Sequence, residues 1–261
     1  MRVIYLNAWG GAVFDELAAW LPGTGVDVLC VQEVTRTHDL SGWTQFADAD
    51  RTLPQRANLL ADLQELLPDH QARFLVSDGG PVSDAEGNRH LQDFGIATFI
   101  HPRFPVIGEA ARFVHGTFSD HDVWPEGDRP RIAHAVRLHD RPQARSVTIA
   151  QCHGLRDPAG KHDTPERILQ AKRLRALVDD VRAADDLTLV GGDFNVLPTS
   201  ATFDTLGLVN LVGDADTRSS LYPKPIRHAN YALISDPTDI KNFDILTSPE
   251  VSDHRPLLID L

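Results

Sequence analysis

The sequence predicts an α/β protein whose sheets are covered by helices. Three observations carry this. Short runs rich in Val, Ile and Leu recur along the chain and are bounded by Gly, Pro, Asp or Asn, as strands are. Between some of these runs lie stretches with apolar residues at helical spacing. The alternation is irregular and lacks the repeating regularity of a (β/α) barrel, so layered sheets and helices fit best.

Taken in order, residues 3–6, 28–31, 73–76, 96–100, 132–138, 147–152, 188–190, 231–234 and 257–261 are predicted strands. Helices are predicted over 14–21, 54–67 and 164–184. The last has the clearest pattern: Ile168, Leu169, Leu174, Leu177, Val178 and Val181 form an apolar stripe, Thr164 is placed to cap it, and Pro165 suits its first turn. Residues 77–131 mix Gly, Pro, Asp and His and are expected to hold long loops. No linker, repeat or low-complexity run interrupts the 261 residues, and 42% hydrophobic composition suits a large core, so one domain spanning 1–261 is expected.

The first residues contain no long apolar segment before a small-residue cleavage site, and no stretch approaches the roughly 20 apolar residues of a membrane span. Cys30 and Cys152 each lie in an apolar run and are expected to be buried free thiols, which points to a cytoplasmic location. A formal net charge of -12 opposes tight, nonspecific binding of polyanions.

The chemistry lies where the apolar runs end. Residues 3–6 lead into Asn7, 28–31 into Gln32 and Glu33, and 147–152 into His153. Residues 188–190 lead through Gly191 and Gly192 into Asp193, Phe194 and Asn195, while Ser252, Asp253 and His254 precede the final strand. Singly, each has an ordinary reading as a turn former, a solvated acid or a packed histidine. Together, at one sheet edge, they make one cleft of acids, amides and histidines. Alternation along an extended backbone predicts that Asp193 and Asn195 share a face while Phe194 points inward. A hard cation such as Mg²⁺ needs only one or two carboxylates; Glu33 is the expected ligand, with Asn7 supporting or joining it. Phosphate-ester hydrolysis needs an activated water and stabilised phosphate oxygens. Asp193 is expected to orient and deprotonate the water, and Asn195 and His153 to contact the phosphate. Asp253 supplies a further acid, and His254 a group that titrates near neutrality.

These stretches resemble the endonuclease/exonuclease/phosphatase (DNase I-like) superfamily. The resemblance rests on LNAWGG (6–11), VLCVQEV (28–34), FGIATFIHPRFPV (94–106), QCHGL (151–155), GGDFNVLP (191–198) and SDHRPLLIDL (252–261), in that order, and on Arg167 and Gln170 in the helix after the histidine motif. It implies a four-layered α/β sandwich, with two mixed sheets face to face and helices outside. It also implies Mg²⁺ or Mn²⁺ at Glu33, with Asn7 and Asp253 as further metal residues, and catalytic roles for Asp193, Asn195, His153, Asp253 and His254. The implied activity is a metal-dependent phosphoesterase acting on a phosphodiester or phosphomonoester, with nucleic acid or nucleotide slightly favoured. Sphingomyelinase-like or inositol-phosphatase-like hydrolysis, or a binding module that kept the fold, are the alternatives.

Two departures stand out. The resemblance leads to an Asp before the tyrosine of HANYALIS, and this chain has Asn230, expected to orient His254 and to join the substrate-binding residues with Asn195 and His153. The tyrosine typical of DNA-repair members before the mid-chain glycine is replaced by Phe94, which argues against abasic-site cleavage. Loops 35–52, 77–93, 115–129 and 156–162 are expected to form the rim. Arg103, Arg129, Arg131, Arg156 and Lys161 are candidate phosphate contacts, and Trp43 and Trp124 candidate stacking surfaces. No HExxH or CxxC spacing supports a zinc site, and no protein partner is implied.

Overall fold

The computed structural model describes residues 1–49 and 51–261; Asp50, inside the expected rim loop 35–52, lies outside them. Two mixed sheets dominate. The first contains β1 (Arg2–Asn7), β2 (Val28–Arg36), β3 (Trp43–Ala47), β4 (Thr52–Arg56), β5 (Gln71–Ser83) and β6 (Arg89–Ile100). The second contains β7 (Val106–His115), β8 (Arg131–Asp140), β9 (Arg145–Cys152), β10 (Leu187–Asp193), β11 (Val209–Asn210) and β12 (Asn230–Ile234). The chain then returns to the first sheet with β13 (Asn242–Ile245) and β14 (Leu257–Asp260). The strand orders are β13-β14-β1-β2-β6-β5-β3-β4 and β11-β12-β10-β9-β8-β7. Within each sheet one pair is parallel, β1 with β2 and β9 with β10, and the other pairs are antiparallel.

Side-chain alternation assembles the layers. Val3 and Tyr5 of β1, with Val28 and Cys30 of β2, join Ile149, Leu189 and Tyr231 of the second sheet in one buried cluster. The intervening Ile4, Leu6, Leu29 and Val31 face the other way, onto Leu17 of α1 (Phe14–Trp20) and Leu59 and Leu63 of α2 (Leu59–Leu66). α3 (Pro165–Val181) covers the outer side of the second sheet against β7 and β8. Helix, sheet, sheet and helix give the four-layered sandwich that the resemblance implied. Both cysteines are buried and free, and no helix among the described residues is long and apolar enough to cross a membrane.

Two expectations change. The helix predicted over 54–67 begins only at Leu59, where Asn58 Oδ1 accepts from the Ala61 N–H at 3.1 Å; residues 52–56 form β4 instead. Pro54 is tolerated there because β4 is an edge strand and need not donate on its open side. The segment 77–131 is not mainly loop: β5 and β6 form a long hairpin through it, and β7 follows. A register shift between Val76 and Asp78 broke the alternation that would have shown β5 in the sequence. The short β11, β13 and α4 (Thr202–Leu206) carried no readable pattern at all.

Candidate active site

The C-terminal ends of the two parallel pairs meet at one edge of the sandwich. Asn7 ends β1 and pairs with Gln32 of β2, and the next residue, Glu33, sits at a break in register between β2 and β6. Glu33 has φ 59°, a left-handed conformation that L-residues rarely adopt, so the bulge re-aims its carboxylate. Six described non-glycine residues have positive φ, and Trp9, Glu33 and Asn195 of these stand at this edge. Such concentrated strain is a mark of functional sites.

From the second sheet come His153, just past β9, and Asp193, the last residue of β10. The Gly154 N–H donates to the Asp193 carbonyl at 2.6 Å and ties the two strand ends together. The glycines before Asp193 are there for close approach: a Cβ on Gly191 would lie 2.8 Å from the Tyr5 ring, and Gly192 has φ 127° with its backbone against the Cys152 carbonyl. Phe194 is buried in the core. Asn195 reaches the site by a different route from strand alternation. The strand has ended, Asn195 is left-handed at φ 54°, and its N–H donates to Asp193 Oδ1 at 3.0 Å. Its side-chain amide donates to the Gly154 carbonyl at 3.4 Å.

Asn7 holds the acids. Its Nδ2 donates to Glu33 Oε1 and to Asp193 Oδ2, each at 3.0 Å, and its Oδ1 accepts from the Trp9 N–H. Asn7 thus supports the two carboxylates through its amide nitrogen. The Ser252–Asp253–His254 turn is fastened to the same strand end, since Ser252 Oγ donates to the Asn7 carbonyl at 2.7 Å and accepts from the His254 N–H at 3.1 Å. His254 Nδ1 contacts Asn230 Oδ1 at 2.5 Å, while Asn230 Nδ2 donates to the Arg255 carbonyl at 3.3 Å. Asn230 is fully buried and holds His254 through its Oδ1. With Nδ1 donating its proton to Asn230, Nε2 of His254 turns its lone pair toward Asp193 Oδ2 at 3.5 Å and Asp253 Oδ1 at 3.7 Å.

Burial governs the ionisation. It pushes the Asp193 carboxyl up, opposed by Arg218 and Lys161, and pushes Asp253 up to about 7 against the pull of Arg218. His153 is held well below its ordinary value by burial and then by Arg131 and Arg129; His254 by burial and then by Arg218 and Lys161. Both imidazoles are therefore neutral around pH 7. Arg218, which the sequence did not single out, binds Asp253 Oδ2 at 2.6 Å and lies over the Tyr222 ring. No motif surrounds it, and only the fold brings it to Asp253.

Glu33, His153 and Asp193 each present a donor atom, all within 4.8 Å of one another. Two carboxylates and a neutral imidazole suit a divalent cation such as Mg²⁺ or Mn²⁺, and a cation there would offset the cost of burying the acids side by side. Asp253, also expected among the metal residues, is bonded by Arg218 through Oδ2 and is not one of these three donors.

The rim differs from expectation. Trp124 is 2% exposed and packs with Phe46 and Phe94, so it offers no stacking surface. Trp43 remains exposed, with Arg56 over its ring. Arg103 pairs with Asp27, just before β2 begins and so at the opposite end of that strand from Glu33. Arg129 is buried between Phe94 and Trp124 and bound to Asp78 through two nitrogens. Arg167 and Gln170 are structural: they bond the backbone of the loop after His153, Arg167 through the carbonyls of Leu155, Gly160 and His162, and Gln170 through the Leu155 N–H.

Residues 4–254 match the Endonuclease/Exonuclease/phosphatase family. Among solved structures, the chain is similar to a mannosyl-6-phosphatase from Bacteroides thetaiotaomicron, with 15% identity, 100% of this chain and 98% of that one covered, and a TM-score of 0.64. It is also similar to the human Nocturnin catalytic domain, at 20% identity, 99% and 93% coverage and a TM-score of 0.55. A third is TDP2 from D. rerio, complexed with a single-strand DNA product, at 11% identity, 99% and 97% coverage and a TM-score of 0.62. At these identities the likeness establishes the fold. No curated protein matches the sequence.

Proposed function

Because the chain belongs to the endonuclease/exonuclease/phosphatase family, whose members hydrolyse phosphoesters, we propose that it is a divalent-metal-dependent phosphoesterase working at the Glu33–His153–Asp193 cluster. The observation that supports this most directly is the convergence of those three donors within 4.8 Å, with Asn7 bonded to both carboxylates. Glu33 would hold the cation, with Asp193 and His153 beside it. When bound, the cation supplies Lewis acidity to a phosphate oxygen.

The protein's own groups do the rest. Asp193, whose carboxyl burial makes more basic than an ordinary carboxylate, takes the proton of the attacking water. The Asn7 and Asn195 hydrogen bonds hold that carboxylate in place. Asn195 and His153 are placed to contact the phosphate. Asp253, titrating at about 7, is suited to return a proton to the leaving oxygen. The substrate is a phosphodiester or phosphomonoester, with a nucleotide or nucleic acid slightly favoured over a lipid or sugar phosphate. The net charge of -12 places a compact ester ahead of a long polyanion. We take residues 1–261 as one catalytic unit.

Single-stranded DNA, RNA, nucleotides, sphingomyelin and inositol phosphates, each assayed with Mg²⁺, with Mn²⁺ and with chelator, test this reading. Metal-dependent release from at least one ester is expected; binding of an ester without turnover under any metal would identify a non-catalytic module instead. Glu33→Gln should fold normally and need far more Mg²⁺ for half-maximal rate, because a neutral amide is a poorer ligand for a hard cation. An unchanged metal requirement would remove Glu33 as the principal ligand.

A further inference from the structure

Of the five basic residues that the sequence offered as phosphate contacts, four already have protein partners. Arg103 is engaged by Asp27, Arg129 by Asp78, and Arg156 by the Glu126 carbonyl at 3.0 Å; Lys161 Nζ donates to the His228 carbonyl at 2.6 Å. Arg131 differs. It is 4% exposed, and its Nε and Nη1 are shut off from solvent with no hydrogen-bond partner. Nη2 makes no hydrogen bond to a described residue either, and it is not enclosed as the other two are.

The position is specific. Arg131 opens β8 opposite His115 of β7, two residues before Ala133, whose partner on β9 is Cys152, the neighbour of His153. Its charge bears on the cluster: it helps keep His153 neutral, and Asp78, then Glu33 and Asp193, oppose the fall in its own pKa caused by burial and Arg129. Asp78 attracts it electrostatically but makes no hydrogen bond to it, since the Asp78 oxygens are taken by Arg129 at 2.6 and 3.1 Å and contacted by His121 at 3.1 Å. Guanidinium remains charged at neutral pH, and an unpaired buried charge destabilises a fold. A group kept at that cost calls for an explanation, and an anion entering the cleft supplies one.

We infer that Arg131 is a substrate-binding residue, its guanidinium donating through Nη2 to a non-bridging oxygen of the phosphate that meets Glu33, His153 and Asp193. This rests on the phosphoesterase reading above. The two enclosed nitrogens leave the positive charge unspent on protein acceptors, and the open one directs it at the ligand. Charge-assisted hydrogen bonds to phosphate are among the stronger polar contacts.

The test uses the full chain loaded with Mg²⁺ and inorganic phosphate as the probe, with affinity read by calorimetry and by product inhibition. Arg131→Met keeps bulk and removes charge. It should weaken phosphate binding by about tenfold or more, and the phosphate-free variant should unfold at the parent's temperature or above it, because a buried charge short of hydrogen-bond acceptors is gone. Arg131→Lys covers the case in which the Met variant does not fold. Lysine keeps the charge but lacks the planar donor fork, so it should bind phosphate more weakly than the parent. In Arg131→Ala, free guanidinium ion should restore part of the lost affinity. Parent-like phosphate affinity in Arg131→Met, or in Arg131→Lys if only that variant folds, overturns the inference, as does a parent that binds no phosphate. Failure of the phosphoesterase reading shows separately, as phosphate binding without turnover of any ester.

Discussion

Asn7 bonds two carboxylates with one amide group, and Asn230 holds one imidazole by its Nδ1 face; both residues act through the groups they orient. Their neighbours are the groups to which the proposed function assigns the chemistry. Asp193→Asn keeps the shape of the side chain and removes the base, so kcat should fall by about 10²–10⁴ while substrate affinity changes much less. Equal losses in kcat and in affinity would assign Asp193 to binding. Asn230→Ala removes the acceptor that orients His254 and should lower kcat by about 10–100-fold with no change in Mg²⁺ affinity. Asn230→Asp, which keeps an acceptor facing Nδ1, should restore most of the rate. A kinetic series at saturating metal, paired with a metal titration, checks both; loss of metal affinity in Asn230→Ala would place Asn230 in the metal site.

At the scale of elements, the site depends on how closely β1 and β10 approach across the sandwich. Gly191 lets the β10 backbone lie against the buried Tyr5 ring, which sets the distance between Asn7 at the end of β1 and Asp193 at the end of β10. Gly191→Ala puts a methyl group into that contact, and neither the enclosed ring nor the strand can yield freely. The expected cost is about 1–3 kcal/mol of stability, with a larger fractional loss of activity than of folded protein, because the Asn7–Asp193 hydrogen bond stretches. Denaturant unfolding alongside specific activity decides it; unchanged stability and activity would mean that the strand shifts without strain. The β9–β10 pair is held differently, by the Gly154 N–H on the Asp193 carbonyl, so His153 and Asp193 move together.

Across the whole molecule, Asp186 locks the helical layer to the second sheet. It accepts from Arg137 of β8 at 2.7 and 2.9 Å, from Thr148 of β9 at 2.8 Å and from the Ala183 N–H after α3 at 2.9 Å. Burial alone would raise its carboxyl, but the bonds from Arg137, Ala183 and Thr148 together outweigh that and leave it below its ordinary value. A carboxylate lowered in the folded state stabilises it above the unfolded-state pKa, near 4, and this stabilisation is lost as pH falls through the lower folded value. Asp186→Asn should therefore cost about 1–3 kcal/mol at neutral pH, and the gap between parent and variant should close as the solution is taken well below pH 4. Urea unfolding at several pH values measures this; a gap independent of pH would mean that the charge of Asp186 contributes nothing.

The sequence by itself determined the class of fold and pointed to the residues that the structure gathers at one sheet edge. Strand cores such as 3–6, 28–31 and 147–152 are legible because burial between layers demands continuous apolar runs, and polar residues directly after such runs mark the sheet edge where Asn7, Glu33, His153 and Asp193 meet. Local signals failed where geometry overrode pattern: β4 around Pro54, and β5 across its register shift. Tertiary structure alone decided which polar groups are already satisfied. The sequence lists Arg103, Arg129 and Arg131 as equals, but only folding brings Asp27 to the first and Asp78 to the second and leaves the third without a hydrogen-bond acceptor among the described residues. Partnership depends on residues that are distant in sequence and adjacent in space, and a linear pattern carries no record of those distances.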